Sequence, residues 1–120
     1  MPFDGTGPAN DTIDDVISDL VNARAVITKR RNWTKLTYHK LRANLFWGIV
    51  PAYCAKGALQ LVAAKPVSVG FLDRQCISRG YASIMSFNDS FMTTHKKMLK
   101  AFDDAIECAT KIKHLDIAVK

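Results

Sequence analysis

"TIDDVISDLVNARAVITKRR", residues 12–31, decides the fold class. Thr12 followed by Asp15 has the spacing of a capping box, and Asp11, Asp14 and Asp15 lie where the positive end of a helix dipole favours acids. Ile13, Val16, Ile17, Leu20, Val21, Ala23 and Ala25 recur with a 3.6-residue period, so one face turns to a core. Lys29, Arg30 and Arg31 then suit a helix C-terminus.

The same period reappears at the far end of the chain. A helix starting near Thr93 places Met98, Leu99, Phe102, Ala105, Ile106 and Ala109 on one face. Between these two, a helix is predicted over residues 52–64, stopping before Lys65 and Pro66, because the residue preceding a proline is driven out of helical conformation. A further helical segment is predicted over residues 71–85, interrupted by Gly80. Residues 32–51 hold no period for long, and Gly48 and Pro51 break whatever precedes them. The expectation is an all-α fold: one compact domain of about four helices, with a short irregular or hairpin segment between the first two. The first and last helices are expected to pack around the 52–64 helix, with Val16, Leu20, Leu59, Phe102 and Ile106 buried. Residues 1–9, with two glycines and two prolines, read as a flexible arm before a domain over 10–120.

At 120 residues the chain is long enough to bury a core without staples. Three cysteines, Cys54, Cys76 and Cys108, with no CxxC pair argue against a disulfide framework or zinc knuckle and fit a reducing, cytoplasmic setting. The opening "MPFDGTGPAND" has neither a basic segment nor an apolar run, so no signal peptide is expected. Residues 45–64 have the length of a membrane span but contain Pro51, Lys56 and Gln60, and read instead as an apolar loop and a buried helix. His39, His95 and His114 are dispersed, so neither a metal nor another cofactor is expected.

Several short motifs occur in order: Trp33, "CAKGAL" at 54–59, "FND" at 87–89, "TTH" at 93–95 and "MLKAFDDAI" at 98–106. In this order they resemble a family of small proteins from actinobacterial and phage genomes, catalogued as domain of unknown function 6197. The resemblance covers residues 12–110. It implies a phage- or mobile-element-encoded protein and a buried Trp33, and it draws attention to Cys54, Asn88, Asp89 and His95. The strongly basic stretch between Trp33 and Cys54 departs from the family pattern.

Those four residues admit two readings. In one, Cys54 is a thiolate nucleophile, His95 its base, and Asn88 or Asp89 orients the imidazole, or the four line a ligand pocket. In the other, Asn88 and Asp89 make a turn, Thr93 or Thr94 caps the last helix, and Asp89 accepts a hydrogen bond from His95. The second reading is preferred, because nothing around Cys54 resembles a cysteine-hydrolase signature.

The clearest departure from average composition is "KRRNWTKLTYHKLR", residues 29–42. It contains Lys29, Arg30, Arg31, Lys35, Lys40 and Arg42 and no acid, in a chain of net charge +6 and pI near 9.4. Lys96 and Lys97 add to it. Cations at this density suit an anionic macromolecule. The expectation is a small non-enzymatic binding protein that engages an acidic macromolecular surface through these residues. A protein partner is placed ahead of nucleic acid, because no base-reading element is present.

Overall fold

The structure, a computed structural model, describes residues 8–37, 39–44 and 48–119, with side chains described at 13–37, 41 and 51–115. Its elements run α1 (Pro8–Val26), a 3-10 turn (Arg30–Asn32), β1 (His39–Asn44), β2 (Gly48–Tyr53), α2 (Ala55–Leu61), α3 (Pro66–Ser78), α4 (Ile84–Asp89) and α5 (His95–Val119). The fold is mostly α, as the periodicity requires. Residues 1–7, most of the expected arm, lie outside the described residues, and α1 begins with Pro8 in the first helical position that proline favours.

α1 and α5 lie directly against each other and run antiparallel. Ion pairs join Arg24 to Asp103 at 2.7 Å and Asp14 to Lys113 at 2.7 Å, while the His95 ring meets the Ile27 carbonyl. α2 packs on α1 and α4, and α3 on α5, α1 and α4, so α2 is a flank and not the centre. The core collects Val16, Leu20, Ala23 and Ile27 from α1, Leu59 from α2, Leu72 and Cys76 from α3, Phe87 from α4, and Met98, Phe102, Ala105 and Ala109 from α5. Val21 is exposed and Ile106 only half-buried, because the face of each helix that meets its neighbour is narrower than the apolar stripe.

Two expected helices change shape. Residues 52 and 53 belong to β2, so the 52–64 helix shortens to Ala55–Leu61; it closes through Ala63 at φ 55, whose Ala64 neighbour donates to the Leu59 carbonyl at 2.9 Å. The 71–85 segment divides at Gly80, whose φ of 94 completes a Schellman closure: Tyr81 N–H reaches back to Cys76 O at 3.2 Å, and Gly80 N–H to Ile77 O at 2.9 Å. The apolar loop expected before α2 is instead β2, paired antiparallel with β1 from His39↔Tyr53 to Asn44↔Gly48. Pro51 is tolerated opposite Leu41 because each strand of a two-stranded ribbon has an unpaired edge. The ribbon is tied to the Trp33 segment where Thr34 N–H donates to Tyr53 O at 3.0 Å.

Helix starts are tied by side chains from other helices. Asp19 of α1 accepts from Lys65 N–H at 2.9 Å and Ser68 Oγ at 2.6 Å, at the start of α3. Asp73 of α3 accepts from Ile84 N–H at 3.0 Å, the first amide of α4. The orphan donors of a helix start thus become tertiary contacts, which suits the placement of acids at these points.

Candidate functional site

Asn88, at the end of α4 and fully buried, is the centre of the polar interior. Its Oδ1 accepts from Trp33 Nε1 at 2.7 Å and from Ala55 N–H, the first amide of α2, at 3.0 Å. Its Nδ2 donates to Thr34 O at 3.0 Å and to Asp89 Oδ1 at 3.0 Å. A carboxamide has two donors and two acceptor positions, and all are used here. One side chain therefore joins the Trp33 segment, α2 and α4. Asp89 also accepts from Leu36 N–H at 2.8 Å, so its carboxylate holds a second residue of the Trp33 segment.

His95 is elsewhere in this arrangement. Its Nε2 bonds the Ile27 carbonyl at 2.6 Å, at the exit of α1, and its ring lies 5.7 Å from that of Trp33. The expected Asp89–His95 hydrogen bond is not formed, because the Asp89 oxygen is taken by Leu36 and Asn88. Thr94 is the cap of α5, its Oγ1 accepting from Lys97 N–H at 3.1 Å. Cys54 is the N-cap of α2: its sulfur accepts from Gly57 N–H at 3.2 Å and lies 3.8 Å from the Met85 sulfur. Burial pushes the Cys54 thiol up from its ordinary value, and the Gly57 and Lys56 amides do not offset it. A buried thiol favouring its protonated form, with the nearby amide and carboxylate engaged in backbone bonds, is a brace and lacks the features of an activated nucleophile.

The basic residues are brought together from two stretches. Lys29 and Arg30 are exposed just beyond α1, and Lys96 and Lys97 are exposed in the first turn of α5; the His95–Ile27 bond puts the two groups side by side. No acid occupies that first turn, so Lys96 and Lys97 add their charge to the positive end of the α5 dipole. Trp33 is only 2% exposed, with the Arg30 guanidinium 5.3 Å and the Lys35 ammonium 5.4 Å from its ring centre. Arg31 is half-buried. The side chains of Lys40 and Arg42 lie outside the described residues.

Beside these cations stand apolar side chains that sequence reading passed over. Leu36 is 81% exposed and Phe91 90% exposed, with Met92 also exposed. Their backbones are tied by Leu36 N–H to Asp89 and by Lys35 Nζ to Ser90 O at 2.6 Å. Leu36 has φ 67, a left-handed conformation that costs a non-glycine residue on the order of 1 kcal/mol. The signal was present in "NDSFMTT", where two large apolar residues interrupt a run of turn formers.

On the other side of Ser90 lies a cleft of about 340 Å3 lined by Arg79, Tyr81, Phe87, Thr93 and Lys97. Tyr81 OH is 3.3 Å from Ser90 Oγ, and its ring packs at 5.0 Å, tilted, against Phe87. The hydrogen-bonded Ser90 hydroxyl first, then the nearby Thr93 hydroxyl, and the charges of Lys97 and Lys35 pull the Tyr81 hydroxyl below its ordinary value. Among the described residues no group of three or more His, Cys, Asp or Glu side chains converges as metal ligands would. No described helix is long and apolar enough to cross a membrane.

Fold and site together define a small helical domain with a braced polar interior and an electropositive edge carrying exposed apolar side chains. The chain belongs to the family described as "Family of unknown function (DUF6197)", which matches residues 11–107. No curated protein and no solved structure matches it.

Proposed function

We propose that this chain is a non-enzymatic protein-binding module whose partner presents an acidic surface with an apolar pocket. Leu36 carries the reading. A leucine held at φ 67 with its side chain 81% in water costs stability and returns no packing, a combination expected where the side chain is used on a partner. Phe91 and Met92 beside it supply the apolar anchors typical of interface centres, and Lys29, Arg30, Lys96 and Lys97 a cationic rim that steers an acidic partner. Burial of Trp33, which withdraws an indole that could stack on an unpaired base, supports a protein partner ahead of nucleic acid. Three free cysteines support a reducing compartment such as the cytoplasm, and the family resemblance supports a phage or mobile-element setting.

The test is affinity capture with the full chain as bait, with and without nuclease, against two variants. Leu36→Gly relieves the backbone and removes the anchor. It is expected to raise thermal stability while weakening capture about tenfold or more, as loss of an interface anchor does. Lys29→Glu, Arg30→Glu and Lys96→Glu combined are expected to abolish capture without unfolding the chain. Capture that disappears on nuclease treatment would assign the same face to nucleic acid, and capture indifferent to both variants would remove it from the binding surface.

A further inference from the structure

We propose that the cleft between α3, α4 and the start of α5 binds a small organic anion: a carboxylate or phosphate on a flat apolar body. The cleft shares Lys97 with the docking face, but the inference stands on its own inventory of donors. Thr93 is 2% exposed, it lines the cleft, and its Oγ1 has no hydrogen-bond partner. It contributes to the lowering at Tyr81, yet makes no hydrogen bond of normal length. A buried hydroxyl without a partner is destabilising, and a bound acceptor removes that penalty.

The other polar groups lining the cleft also have donors to spare. Arg79 gives Nη2 to Asp104 at 2.5 Å and Nη1 to the carbonyl and side-chain oxygens of Gln75 at 3.0 and 3.2 Å. A guanidinium has five N–H donors, so at least two are left over. Lys97 Nζ donates to Met92 O at 3.1 Å and retains others. Asp104 is the acid at this edge of the cleft, and it is shared between Arg79 and Lys100, whose Nζ lies 2.5 Å from it. Of the residues that line the cleft, Arg79 and Lys97 are cationic and none is acidic. An excess of donors and of positive charge selects an acceptor-rich anion.

The apolar part follows from the wall opposite. The Tyr81 ring, backed at 5.0 Å by the buried Phe87 ring, gives an aromatic surface that inorganic phosphate alone would leave uncovered. The volume of about 340 Å3 lies at the small end of the roughly 300–1,000 Å3 range of ligand pockets and suits one ring with its charged substituent.

The experiment is an amide chemical-shift titration of the full chain with phenyl phosphate, benzoate, inorganic phosphate and uncharged benzyl alcohol. Saturable shifts are expected at Tyr81, Thr93 and Lys97 with phenyl phosphate, benzoate or both, and the stronger of the two identifies the anionic head. Benzyl alcohol and inorganic phosphate are each expected to bind about tenfold more weakly, since each lacks one half of the recognition. Thr93→Val and Lys97→Met are each expected to weaken the better probe about fivefold or more. The valine variant tests the hydroxyl with its shape preserved, and the methionine variant tests the charge should the first fail to fold. No saturable shift with either aromatic anion, equal binding of benzyl alcohol, or binding that neither variant alters would overturn the proposal. Inorganic phosphate binding as tightly as phenyl phosphate would overturn the aromatic half of it.

Discussion

Asn88 at the end of α4 and Thr93 just before α5 are both buried polar side chains, yet Asn88 has every donor and acceptor matched by protein groups while the Thr93 hydroxyl has none. The surroundings differ in the same sense. Around Asn88 the partners are backbone groups, an indole and a carboxylate that holds the Leu36 amide. Thr93 instead shares the lining of a cleft with a phenol, a guanidinium and an ammonium. A fully matched polar centre specifies one arrangement of the chain; an unmatched one at a cationic opening is suited to receiving something. The comparison separates architecture from a candidate site within one short stretch of sequence.

The largest expected effect lies on the matched side. Asn88→Ala removes the Asn88 bonds to the Trp33 indole N–H, the Ala55 amide and the Thr34 carbonyl, all in the buried interior, and should cost about 3–5 kcal/mol in urea unfolding. Phe102→Ala, a purely apolar deletion in the core, is expected to cost about the same. If Asn88→Ala cost much less than Phe102→Ala, the amide would not be the joint that ties α2, α4 and the Trp33 segment.

The fold class was legible because α1 and α5 are long amphipathic helices whose 3.6-residue period is hard to mistake. The split of the 71–85 segment was signalled by Gly80, but the Schellman closure depends on backbone angles that composition does not give. Cys54, Asn88, Asp89 and His95 were worth singling out, and three of them do cluster around Trp33 and α2. The roles of Asn88, Asp89 and His95 were hidden because they bond groups far away in sequence: the Trp33 indole and the backbone of Ala55, Thr34, Leu36 and Ile27. The cleft was less legible still, since Arg79, Tyr81 and Thr93 come together only after the chain turns at Gly80 and again at Ser90.

A smaller effect separates the thiols. Burial pushes Cys76 up to about 12 from an ordinary 9.0, with Asp73 adding to the rise, and it raises Cys54 as well. The unfolded chain therefore loses these protons first, so their contribution to stability is full below about pH 9 and falls as pH rises from 9 toward 12. Cys76→Ala should reduce that alkaline loss relative to the unaltered chain. With iodoacetamide near neutral pH, half-buried Cys108 should react first, and Cys54 and Cys76 slowly and alike. Rapid labelling of Cys54 alone, lost on His95→Ala, would restore the nucleophile reading.

The smallest expected change is also the most direct test of the contrast between the two buried polar groups. Urea unfolding of Thr93→Val, without ligand, should give a midpoint equal to or above that of the unaltered chain, because the methyl replaces a buried hydroxyl that makes no hydrogen bond of normal length. A loss of about 1–2 kcal/mol, the scale of a broken buried hydrogen bond, would show that the Thr93 hydroxyl is already matched inside the protein and would contradict the account.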